Sequence, residues 1–146
     1  MKQKIIALII SMFITTSLFA NPLMLETIGA MGGGNIYLTY ISIGVIADAS
    51  SKEVYEKEQI INLLSSIERQ AVVQRDYLDK MSKSSDVSSD DKAFIKKMIA
   101  CYGLLIDEAK FFAEFINTGK QAALKNFQTK REQAWKSISE ILGFNE

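Results

Sequence analysis

The sequence contains no histidine. That absence removes the usual haem ligand, the Glu-x-x-His motif of di-iron bundles, the common zinc sites and every triad built on an imidazole. Cysteine is nearly absent too. Cys101 stands alone, so no internal disulfide braces the fold and no C-x-x-C-H haem attachment exists. Between Ala100 and Tyr102, with no imidazole to activate it, Cys101 reads as a buried, inert thiol. Pro22 is the single proline, and nothing after it forbids a helix from continuing. Nor is either charge in excess, with 17 basic residues against 17 acidic ones. A nucleic-acid binder would carry a clearly basic footprint, which this chain lacks.

What is present begins at the N-terminus. Met1-Lys2-Gln3-Lys4 is followed by an uncharged run from Ile5 to Phe13, and then by small and polar residues up to Ala20. This is the order of a secretory signal peptide over residues 1–20, with cleavage leaving Asn21 first. Leu18 is bulky for the position two before the cut. An uncleaved anchor is therefore the alternative, and only through it is membrane contact expected. Both readings imply export, to the periplasm or the outside of a bacterial cell, and no early Cys offers a lipid attachment site. Loss of the leader removes Lys2 and Lys4 and no acid, leaving acids in slight excess. The remainder is long enough for one domain with one hydrophobic core.

Apolar residues then recur at steps of three and four. Ile60, Leu64, Ile67, Ala71, Leu78 and Met81 form one stripe of a long helix, with Gln74 filling the missing place. Glu53 with Lys57, and Asp76 with Lys80, are expected as ion pairs on its wet side. A Ser/Asp-rich loop follows, and Ser88 with Asp91 resembles a capping box. The next stripe is Ile95, Met98, Tyr102, Leu105, Ala109, Phe112 and Ile116, ended by Asn117-Thr118-Gly119. Met98 reads as core and not as a metal ligand. The last stripe is Leu124, Phe127, Ala134, Ile138 and Ile141, with Trp135 beside it and Gly143-Phe144 as its cap. The short connections predict antiparallel neighbours. No strand signal competes, and the fold class is an all-α antiparallel bundle of three to four helices.

The stretch from Ile28 to Ala49 holds Gly29 and Gly32 to Gly34. A phosphate loop of the GxxxxGK[ST] type fails, since Asn35 and Ile36 follow Gly34. A dinucleotide GxGxxG fails as well, with Tyr37 where the third glycine belongs. A membrane span is diluted by the glycines, Asn35, Thr39 and Ser42. The preferred reading makes residues 21–34 a flexible Gly-rich lead-in and 35–146 the bundle domain. Asn35 then caps a helix that is apolar on nearly every side and wrapped by the others. Ser50 with Glu53 favours a break after it. An unbroken rod over 35–82 would instead be about 70 Å long and would need cover from a second copy.

No residue is assigned a catalytic, cofactor-binding or metal-binding role, and no cofactor is expected. Acids such as Glu53, Glu56, Glu58, Asp76 and Asp79 look solvent-facing, and Asp107 and Glu108 are placed on the polar side of their helix. Two features stand out. Phe111, Phe112, Phe115, Phe127 and Trp135 are expected to concentrate aromatic area at one end of the bundle. Lys120, Lys125, Lys130, Arg131 and Lys136 make the last helix locally basic. If the protein docks a partner, the residues expected to touch it are Phe111, Phe115, Trp135, Lys130 and Arg131. The function expected is a non-enzymatic interaction or structural module of the envelope, binding a protein partner or itself. A carrier enclosing a small apolar ligand comes second, and a histidine-free enzyme using Asp107 or Glu108 third.

Overall fold

The computed structural model describes residues 22–144. The expected signal peptide at 1–20 lies outside the described residues. Four helices follow one another, α1 (Pro22–Ser51), α2 (Lys57–Ser82), α3 (Ser89–Thr118) and α4 (Gln121–Leu142), and among the described residues there is no strand.

Contacts fix the directions. Lys57 at the start of α2 donates from Nζ to the carbonyl of Asn117 at the end of α3. Phe112 meets Phe127 and Glu108 meets Arg131, so α3 and α4 run antiparallel. Gly33 lies against Leu142 and Gly44 against Arg131, so α1 is antiparallel to α4. Gly29 against Phe94 and Gly32 against Met98 make it parallel to α3. The result is an up-down-up-down bundle. Its core takes Ile36, Ile43 and Ile46 from α1 and most of the predicted stripes: Ile60, Leu64, Ala71 and Leu78 from α2, Ile95 to Phe112 at helical spacing from α3, and Phe127, Ala134 and Ile138 from α4. Four alanines, Ala71, Ala109, Ala123 and Ala134, are buried and leave room for the helices to approach one another.

The helix ends follow from local chemistry. The hydroxyl of Ser88 accepts from the backbone N–H of Asp91 at 3.1 Å, which caps α3 as expected. Gly119 ends α3 and Gly143 ends α4, each with a φ of 69° that glycine tolerates. Phe144 donates its N–H to the carbonyl of Ser139, closing the last turn.

Three expectations need correction. Residues 22–34 are helical and not a lead-in, and Asn35 sits inside α1, its carbonyl accepting from the Thr39 hydroxyl. With no proline after residue 22, nothing stops the helix from starting that early. The chain does break between α1 and α2, but not through a Ser50–Glu53 box. Val54 N–H bonds Ala49 O and Glu53 N–H bonds Ser50 O, with Glu53 itself at φ 54°. This is a Schellman ending with glutamate where glycine is usual. The capping pair of α2 is Glu56 with Gln59, whose side chain accepts from the Glu56 N–H at 3.0 Å. The expected ion pairs also shift partners. Asp76 pairs with Arg75, Lys80 lies over the Tyr77 ring, and Asp79 takes Lys83.

Candidate functional site: a buried ion pair beneath an uncovered apolar face

The residues proposed from sequence for partner contact are dispersed. Phe111 and Phe115 are half-buried against their own core, with the Phe115 ring 6.2 Å from Phe112, which in turn stacks 4.7 Å from Phe127. Trp135 belongs to a second aromatic group, with Tyr40 at 5.6 Å and Phe144 at 6.1 Å, and Tyr37 joins through Phe144. The aromatic area is therefore split between two places, because Trp135 stands two turns, about 12 Å, beyond Phe127 along α4 and α1 covers it there. Lys130 pairs with Asp107 at 2.9 Å on a partly exposed surface, a contact of small energetic weight.

Arg131 points inward. Its guanidinium binds Glu108 Oε1 at 2.7 Å, reaches the backbone carbonyl of Tyr40 at 3.5 Å and lies 4.1 Å from the centre of the Tyr40 ring. It joins α3, α4 and α1 at one point. Glu108, expected on a polar side, is completely buried. Burial pushes its carboxyl up to about 7 against the opposing pull of Arg131, and its Oε2 has no partner among the described residues. Burial likewise raises the Tyr40 hydroxyl. Gly44 makes the geometry feasible: a Cβ there would stand 2.5 Å from a guanidinium nitrogen of Arg131. Cys101 is a buried free thiol, as expected, and burial drives its pKa up to about 11, far from a reactive thiolate.

Above this pair, α1 is not wrapped on all sides. Ile36 and Ile43 are fully buried, but Met31 is 65%, Leu38 61% and Val45 60% exposed, with Ile41 also open to solvent. Met31, Gly34, Leu38, Ile41 and Val45 follow steps of three and four along one outward stripe. By length and composition, Glu26–Ser51 is apolar enough to cross a membrane, an 18-residue window within it having a mean hydropathy of 1.2 with 22% of that window buried. Gly29 and Gly33, the small-residue pair that would suit membrane helices, are used instead against Phe94 and Leu142.

Among the described residues no group of three acidic or cysteine side chains is placed to hold a metal. No family model, curated protein or solved structure matches the chain.

Sequence reasoning missed both halves of this arrangement, although each left a trace. Glu108 stands three after Leu105 and four before Phe112, which is a core register whatever the residue type. On α1 the stripe at 31, 34, 38, 41 and 45 is separate from the buried one through Ile36 and Ile43. An all-round apolar helix hides two such stripes inside one another.

Proposed function

We propose that the protein is an exported, non-enzymatic interaction module of a bacterial cell envelope, which docks an apolar helix along the outward face of α1. One observation carries this reading. Met31, Leu38, Ile41 and Val45 are exposed at coiled-coil spacing on a helix whose opposite side is sealed into the core. A helix facing only water would carry polar groups there, and a contiguous apolar strip of this kind marks an interaction surface. The leader-like N-terminus supports export. A second copy of the chain presents the same stripe at the same spacing, and it is the occupant proposed here.

Sedimentation equilibrium tests this directly. The mature chain is expected to dimerise as its concentration rises, and the double variant Leu38→Glu, Val45→Glu to stay monomeric with unchanged helical content, since neither side chain is buried. A wild-type chain that is monomeric throughout overturns the reading. Flotation of that monomer with vesicles through the same stripe would transfer the face to a lipid surface.

A carrier for an apolar ligand has less to support it. The crevice bounded by Ile28, Phe94, Ile95 and Met98, with Asp91 also in its lining, measures only about 20 Å³, room for little more than one water. As an acid for catalysis, Glu108 is sealed away by Arg131, and substrate reach is the first requirement for that role.

A further inference from the structure

Where α1 leans on α2, a cleft of about 170 Å³ opens, with Tyr102 of α3 contributing to its lining. Asn35, Leu38, Thr39 and Ser42 line it from α1, and Gln70 and Gln74 from α2. No charged side chain lines the cleft. Tyr102 is 1% exposed, and its hydroxyl has no hydrogen-bond partner among the described residues. Buried hydroxyls are ordinarily satisfied, so an orphan on a side chain that lines a cavity calls for a partner, an ordered water or a ligand. The Thr39 and Ser42 hydroxyls already donate to the carbonyls of Asn35 and Leu38, at 2.7 and 2.8 Å. Their oxygens remain free to accept. The three carboxamides each offer both a donor and an acceptor.

We infer that this cleft is a binding site for a small, uncharged, hydroxyl-rich molecule of about one six-membered ring, such as a monosaccharide or cyclic polyol. The size fits, since an apolar cavity of about 150 Å³ takes a benzene ring. Charge selects further. An ionised ligand would find no counter-charge, and burying it unpaired is costly. An apolar ligand would leave the amides and the phenol unpaired. Hydroxyl groups donate and accept at once, and so match a lining in which both roles alternate. Ile67 in the same cleft supplies an apolar surface for the C–H side of such a ring.

The cleft adjoins the docking face, since Leu38 belongs to both, but Met31, Ile41 and Val45 lie outside it, so variants at those positions separate the two proposals. Its test is calorimetry and saturation-transfer NMR on the mature chain with myo-inositol, glucose and N-acetylglucosamine, using glucose 6-phosphate and toluene as charged and apolar controls. At least one neutral compound is expected to bind, in preference to both controls. Tyr102→Phe should then weaken it by about three- to tenfold, the effect of one lost neutral hydrogen bond, and Gln74→Leu by a similar factor. Tyr102→Phe removes a hydroxyl that has no partner among the described residues, so the fold should survive and any loss reports on the ligand. Binding that both variants leave unchanged overturns the inference. So does preference for a control, or the absence of any binding with only ordered water at the Tyr102 hydroxyl in a crystal.

Discussion

Helix α1 and the three-helix unit α2–α4 are built by different rules. In α2, α3 and α4 the apolar residues keep to a core-facing stripe, polar residues fill the rest, and the helix ends carry recognisable signals such as Ser88, Gly119 and Gly143. Burial of those stripes is enough to hold them together. In α1 apolar residues occupy both faces, and the approach to the unit depends on glycines, Gly33 against Leu142 and Gly44 against Arg131. Ile36, Ile43 and Ile46 seat it in the core, and a polar contact, Arg131 with the Tyr40 carbonyl and ring above Glu108, ties it to α3 and α4. A helix held on one side by a few close contacts, and uncovered on the other, is suited to binding something else.

The largest way to break that contrast is Arg131→Ala. It strands Glu108 without its counter-charge in a site water does not reach, at a cost of about 3–5 kcal/mol where the carboxyl is ionised. Without the pull of Arg131 the carboxyl holds its proton to a higher pH than the parent's value of about 7, and once it is protonated the cost shrinks. Hydrogen exchange should quicken in residues 22–51 while α2–α4 keep their protection. Uniform loss of protection would mean that α1 is no separate unit.

Next comes the pH dependence of the parent chain. The carboxyl of Glu108 rises from its ordinary 4.5 to about 7 in the folded state, so the folded chain holds that proton more tightly than the unfolded one. Its contribution to stability is complete below about pH 4.5 and is lost as pH rises to about 7. Glu108→Gln abolishes the titration. The difference between the two stability profiles, measured by urea unfolding at several pH values, should therefore fall across that window and be flat outside it. A flat difference throughout would place Glu108 in contact with water.

The smallest effect is the most diagnostic. In the parent chain Gly44→Ala puts a methyl group into the Arg131 guanidinium and should destabilise, despite the better helix propensity of alanine. In an Arg131→Ala background the same change meets no obstacle and should stabilise by about 1 kcal/mol. Thermal unfolding of the four chains gives the coupling as a double-mutant cycle, and additivity would remove Arg131 as the clamp.

Where sequence reasoning worked, one residue sufficed to decide the matter. Ser88 before an apolar-periodic run starts a helix, and Gly119 and Gly143 stop one, because the satisfying groups lie within a turn of each other. The core stripes were legible for the same reason. Glu108 was misread because its type suggests water while its register says core, and only a partner 23 positions away resolves the conflict. Phe127 and Trp135 were grouped together by proximity in the chain, whereas their neighbours come from α3 and α1 respectively.

The amino-acid order by itself thus determined an all-helical chain, the position of its later helices and the residues of their shared core, since helical periodicity and end-capping act over a few residues. Which side of α1 is covered, where Arg131 finds its acid and where Tyr102 meets a cleft were decided only when four helices packed. Those contacts join residues far apart in the chain, and an apolar helix without a polar side carries no local mark of which face it will bury.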